Sequence, residues 1–103
     1  MDSPNYNNPD NSQSTALAAV TVTKISPPLT GKRIGLRGSN PTQTSLYIVL
    51  VLAGSAPPSA ASVVYGQWAY SVPAGSSWQD AGGNVDAYAY STAGGTVYCE
   101  ELV

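Results

Sequence analysis

Turn-forming residues divide this sequence into short segments, and their spacing restricts the fold more than any other feature. Clusters such as Ser26-Pro27-Pro28 and Gly38-Ser39-Asn40-Pro41 recur along the chain. Between them stand short runs rich in Val, Ile, Thr and Tyr, which favour extended backbone. No window shows the period of an amphipathic helix. Strands roughly ten residues apart, separated by Gly and Pro turns, predict a small antiparallel β-sandwich or barrel.

The same patterns place the strands. The run 44–53 is almost continuously apolar, which predicts a central strand covered on both faces. Gly66 lies in register with alternating apolar residues, where it indicates a bulge or a close backbone approach. We predict an all-β fold, a small antiparallel β-sandwich of jelly-roll or Ig-like type with an extended N-terminal arm. The predicted strands cover residues 20–25, 31–37, 44–53, 61–72, 76–78, 85–91 and 96–102.

The chain divides into an arm and one domain. Residues 1–16 are rich in Asn, Ser, Pro and Asp, contain one tyrosine, Tyr6, and show no period. Such a segment buries too little apolar surface to order itself, so we expect an arm that becomes ordered against a partner. Residues 17–103 are long enough for one modest core and form the β-sandwich domain.

The ionisable residues argue against catalysis. The sequence has no histidine, which removes the commonest general base and metal ligand. Glu100 and Glu101 are adjacent in a strand, so they point to opposite faces and cannot flank one bond. Asp80 and Asp86 flank a turn and offer either a calcium site or, more often for such residues, turn formation. We therefore predict a non-enzymatic protein without cofactor or metal.

The single cysteine and the N-terminal composition indicate where the protein is assembled. Cys99 cannot form an internal disulfide and is typical of a buried packing residue. The N-terminus lacks the pattern of a secretory signal, and the longest apolar run, 46–53, is too short to cross a bilayer. We expect assembly in a cytoplasm and no membrane contact.

The four cations lie together, between Lys24 and Arg37, whereas the acids lie toward the chain ends. Lys24, Lys32, Arg33 and Arg37 either form a docking patch for an acidic partner or discourage strand-to-strand aggregation. The formal net charge of −2 disfavours nucleic-acid binding. Only 10% of residues are charged, against about 25% in typical soluble domains, which favours extensive contacts with other molecules.

Aromatic residues are concentrated in the last forty positions or so, and the chain has no phenylalanine. They either fill the core and subunit interfaces, the interpretation that we favour, or stack on sugar rings. The candidate partner-binding residues are Tyr6, Lys24, Lys32, Arg33, Arg37, Trp68 and Trp78.

Four segments carry a resemblance to a known class of proteins. They are Ser45-Leu46-Tyr47-Ile48-Val49, Val72-Pro73-Ala74-Gly75-Ser76-Ser77-Trp78, Val85-Asp86-Ala87-Tyr88-Ala89-Tyr90-Ser91 and Gly95-Thr96-Val97-Tyr98-Cys99-Glu100-Glu101-Leu102. Their order resembles small β-sandwich structural proteins of tailed bacteriophages, which decorate or cement capsids or serve as accessory head and tail parts. The resemblance covers roughly residues 31–103 and breaks at the loop 54–61.

This resemblance implies a virion structural protein assembled in the host cytoplasm. The first expectation is a capsid decoration or cement protein that binds the major capsid protein on the outer surface, as a homo-oligomer with a trimer favoured. The alternatives are a tail or head–tail accessory protein and, from another class, a carbohydrate-binding module that uses exposed Trp and Tyr.

Overall fold

The structure, a computed structural model, describes residues 11–103. Its elements are β1 Ser12–Leu17, β2 Thr23–Lys24, β3 Gly35–Ser39, β4 Leu46–Leu52, α1 Ala60–Val64, β5 Tyr70–Val72, β6 Ser77–Asp80, β7 Val85–Tyr90 and β8 Gly95–Leu102. The strands form two antiparallel four-stranded sheets, sheet A with the order β1-β8-β3-β6 and sheet B with the order β2-β7-β4-β5. The predicted all-β sandwich is confirmed. In the described part of the chain, no helix is long and apolar enough to cross a membrane.

The core lies between the two sheets because apolar residues alternate along the strands. Leu36 on β3, together with Leu46 and Ile48 on β4, is completely buried. From sheet A, next to β3, β8 contributes Val97 and Cys99 to the same cluster. Each large apolar side chain buried in this way stabilises the fold by about 1.5–3 kcal/mol.

A second, smaller cluster covers the outer face of sheet B. Val63 of α1 packs there with Val49 of β4 and with Tyr88 and Tyr90 of β7. The strand β4 is therefore covered on both faces over its first half, as the apolar run predicts. The cover ends before Leu52, whose side chain is 66% exposed.

The segment 61–72 differs most from its predicted structure. The helix α1 replaces the predicted strand, and only Tyr70–Val72 is extended. The Ser59 hydroxyl accepts a hydrogen bond from Ser62 N at 3.1 Å, which caps the first turn of the helix. Gly66 has φ +94° and donates to Val63 O at 2.9 Å, so it ends the helix rather than forming a bulge. A helix of one turn and a half is too short to show a period.

The N-terminal boundary also differs from the prediction. Ser12–Leu17, which the sequence assigns largely to the arm, forms the edge strand β1 and pairs with β8 from Ser12↔Glu100 to Leu17↔Gly95. The Gln13 side chain donates to Ile25 O at 2.9 Å. This polar segment becomes a strand because it pairs with β8, since its own composition does not favour one. Tyr6 and the rest of the predicted arm up to residue 10 lie outside the described residues.

Candidate functional site

Arg33 lies in the interior and not on a basic surface. Its side chain is 0% exposed, and Nε donates to Glu101 Oε2 at 2.7 Å. Nη2 donates to Pro27 O at 2.8 Å and Nη1 donates to Val85 O. Glu101, also 0% exposed, accepts two further bonds from the Thr30 backbone N–H and hydroxyl. The predicted partner-binding role is corrected, because this guanidinium is buried and each of its three nitrogens donates within the fold.

The other three cations do not form one patch. Lys24 belongs to sheet B and pairs with Asp86 at 3.5 Å, whereas Arg37 belongs to sheet A and pairs with Glu100. Lys32 is exposed in the loop before β3 and forms no ion pair with any residue from 11 to 103. A shared basic face requires the first two predicted strands to pair. They lie in different sheets instead.

Arg37 and Glu100 belong to a polar groove on the outer face of sheet A. The Tyr98 hydroxyl donates to Glu100 Oε1 at 2.9 Å, so two side chains hold this carboxylate. Ser39 and Ser77 line the remaining walls of the groove, whose volume is about 320 Å³. The alternation of Glu100 outward and Glu101 inward agrees with the prediction that the two point to opposite faces.

Trp78 is a core residue, which corrects its assignment to a partner-binding surface. Its side chain is 5% exposed and stacks on Tyr70, with ring centroids 6.1 Å apart. The indole fits only because position 38 is glycine: a Cβ there would lie 2.4 Å from Trp78 Nε1. Within residues 11–103, this Nε1 is the one fully buried side-chain nitrogen or oxygen without a hydrogen-bond partner.

Trp68, in contrast, lies in an open groove on the outer face of sheet B. The Tyr47 ring lies between Trp68 and Tyr90, with centroid distances of 5.4 Å and 6.5 Å. Trp68 is 38% exposed and Tyr65, at the rim, is 87% exposed. The groove, called the aromatic groove below, has a volume of about 450 Å³. Its lining residues are Tyr47, Val63, Val64, Tyr65, Gly66, Trp68, Tyr90 and Thr92.

Strand register and one turn bring these rings together. Tyr47 of β4 and Tyr90 of β7 are direct cross-strand partners with outward side chains. Trp68 arrives from the segment after α1, where the Ala69 N–H donates to Ile48 O at 2.7 Å. The Gln67 N–H donates to Ser62 O at 3.0 Å and closes the turn. Rigid strands therefore supply two rings, and a tethered turn supplies the third.

Exposed apolar side chains also gather at one end of the sandwich, called the apolar end below. There β3 begins, β4 and β8 end, and the turn after β6 crosses from sheet A to sheet B. Ile34 N donates to Leu102 O at 2.7 Å at the end of sheet A, and Ala53 N donates to Asn84 O at 3.0 Å at the end of sheet B. The exposed members are Leu29 at 42%, Ile34 at 65%, Leu52 at 66% and Val103 at 46%.

The remaining ionisable groups serve the structure. Asp80 accepts from the Tyr70 hydroxyl at 2.7 Å, which raises the pKa of Tyr70. Asp86 lies in the other sheet and accepts from Gly54 N at 3.2 Å. No three His, Cys, Asp or Glu residues gather as metal ligands in the described part. Burial raises the pKa of the Cys99 thiol to about 12.

Sequence reasoning missed two parts of these surfaces. Tyr47 is visible as an outward position of the apolar strand, so its alternation with Leu46 and Ile48 was an available signal. Ile34 and Leu52 have no such signal, since nothing local shows that they lie at the same end of the sandwich.

A scan of protein-family models, a search of curated proteins and a search of solved structures each found no match to this chain.

Proposed function

We propose that this chain is a non-enzymatic structural subunit of a tailed-phage virion, a decoration or cement protein that docks on the outer capsid surface. The observation that carries the proposal is a surface poor in charge and rich in apolar side chains. Arg33 and Glu101 are withdrawn into the interior, and Asp86 and Glu100 are almost buried in pairs. Nine large hydrophobic residues within 11–103 are substantially exposed. Such a surface is typical of a subunit covered by its neighbours.

The apolar end is the part of that surface best suited to permanent contact. Ile34 and Leu52 are each about two-thirds exposed, and the exposed Lys32 stands two residues before Ile34. Burying such side chains against a neighbour supplies the hydrophobic driving force for association. The strand β1 begins at this same end of the sandwich, where Ser12 pairs with Glu100 near the end of β8.

The phage assignment comes from the order of strands and turns in residues 31–103, which is similar to that of capsid decoration and accessory head or tail proteins. The partner in this role is the major capsid protein. A trimer matches places where three shell subunits meet. A tail or head–tail accessory role uses the same contact surface and differs only in the particle to which the subunit attaches.

Co-sedimentation with assembled head shells tests the proposal. We expect the full chain to pellet with shells, and the variant Ile34→Ser/Leu52→Ser to bind at least about tenfold more weakly. The control is Val64→Ser, which removes an equally exposed side chain (68%) from the aromatic groove and should bind normally.

Equal binding by the double variant and the full chain would contradict the role of the apolar end. Binding to purified tails but not to shells would favour the accessory role.

A further inference from the structure

We propose that the aromatic groove is a binding site for the pyranose rings of a neutral carbohydrate. Tyr47 and Leu52 lie at opposite ends of β4, about 16 Å apart at roughly 3.3 Å per residue. The groove is therefore separate from the apolar end. The proposal goes beyond the structural role above and does not depend on it.

The rings provide the apolar part of the site. Tyr47 lies between Trp68 and Tyr90, with interplanar angles of 46° on each side, so the three form the wall of a concave surface. A pyranose ring presents C–H groups on its faces and hydroxyls around its edge. The C–H faces pack on aromatic rings, which combine a large apolar area with little conformational freedom to lose.

A hydroxyl without a protein partner provides the polar part. Tyr90 is only 4% exposed, lines the groove and makes no hydrogen bond with any residue from 11 to 103. Its hydroxyl is not among the fully buried orphan atoms, a set that contains only Trp78 Nε1 in the same range, so it reaches solvent. Because Tyr90 lines the groove, the groove is where that hydroxyl meets water or a ligand.

Two further hydroxyls belong to the same wall. Those of Tyr47 and Thr92 likewise have no hydrogen-bond partner within the described chain. Three such groups around apolar rings complement a ligand that carries both C–H surfaces and hydroxyls. A purely apolar ligand would leave all three without partners, and this costs binding free energy.

The absence of charged residues from the groove favours neutral carbohydrates over charged ones. None of its lining residues is Asp, Glu, Lys or Arg. The site therefore offers no counter-charge to a sialic acid, a uronic acid or a phosphorylated sugar, and binding would desolvate their charge without compensation. The volume of about 450 Å³ lies in the usual range for small-ligand sites. For one or two rings we expect dissociation constants of about 10 µM to 1 mM.

The test is a ¹H–¹⁵N NMR titration of the full chain with neutral hexasaccharides of glucose, mannose, galactose or xylose. The chain has two tryptophans, and each indole N–H reports on one environment. We expect at least one saccharide to shift the Trp68 indole signal while the Trp78 signal, from the core, stays in place.

Three variants make the titration specific. Tyr90→Phe keeps the ring and removes a hydroxyl that the described fold does not use, so it should stay folded and bind about 3- to 10-fold more weakly. Trp68→Ala should abolish detectable binding. Tyr98→Ala, which removes a ring of matching exposure (37%) from sheet A, should bind like the full chain.

Several results would overturn the proposal. One is the absence of any Trp68 shift with every saccharide up to about 10 mM, well above the expected dissociation constants. Another is full affinity in both Tyr90→Phe and Trp68→Ala. A third is a Trp68 shift with a proline-rich decapeptide but with no saccharide, which would assign the groove to peptides.

Discussion

Replacing Glu101 by glutamine removes the negative charge opposite Arg33 and leaves the volume of the side chain nearly unchanged. Both side chains are 0% exposed, so water cannot take over the lost ion pair. The guanidinium would keep its bonds to Pro27 O and Val85 O, and Thr30 would still find an amide oxygen. The positive charge itself would remain buried without a counter-ion.

The cost of such a single removal is about 3–5 kcal/mol. The free energy of unfolding of a native protein is about 5–15 kcal/mol in total, so a large part of it would be lost. In thermal unfolding this corresponds to a decrease in Tm of about 12–40 °C. Removing both charges in Arg33→Met/Glu101→Leu leaves no unpaired charge, so we expect the double variant to be more stable than Glu101→Gln.

The matched control is the neighbouring carboxylate. Glu100→Gln removes a carboxylate that is itself only 4% exposed, but it leaves behind Arg37, whose 40% exposed side chain water can solvate, so it should cost clearly less than Glu101→Gln. Urea unfolding followed by circular dichroism measures both variants on one scale. If Glu101→Gln and Glu100→Gln unfold at the same urea concentration, Arg33 is not a desolvated charge and the reasoning fails.

Three further predictions concern the core and its edge. Gly38→Ala places a Cβ 2.4 Å from Trp78 Nε1, so we expect a loss of about 1–3 kcal/mol in urea unfolding and an altered near-ultraviolet spectrum; unchanged values would contradict the close packing. The Cys99 thiol, with its pKa raised to about 12 by burial, should react with a disulfide reagent at about pH 8 only after unfolding in guanidinium; prompt labelling of the folded chain would contradict its burial. The hydrogen bond to Asp80 raises the pKa of Tyr70 above its unfolded value near 10, so its contribution to stability is present below about pH 10 and is lost as the pH rises through the folded value. The difference in phenolate absorbance between the full chain and Tyr70→Phe should therefore show its step above about pH 10, and a difference step at the ordinary value would refute the bond.

The fold class could be predicted because its determinants are local. Turn residues at short intervals predict the sandwich, and the apolar run around Leu46–Leu52 predicts its internal strand. The helix α1 was missed although its signals are present in the sequence. Ser59 is a typical N-cap residue, and Gly66 stands just past the end of the helix, where glycine commonly ends helices. The apolar residues at even positions, Val64, Trp68 and Tyr70, favoured a strand over these helix signals.

The candidate sites depend on contacts that no local pattern contains. Arg33 and Glu101 are 68 positions apart, and their pairing requires the loop before β3 to meet the end of β8. A basic residue in an alternating segment therefore looks like part of an exposed face until the sheets are in place. The two tryptophans could not be distinguished from the sequence for the same reason. Trp68 lines the aromatic groove, whereas Trp78 lies in the core.

Size-exclusion chromatography with light scattering tests the central claim that this chain is a subunit built for contact. At about 50 µM, a concentration at which micromolar association is complete, we expect a trimer with three times the chain mass of 10.6 kDa. A full chain that stays monomeric at this concentration would contradict the proposed trimer.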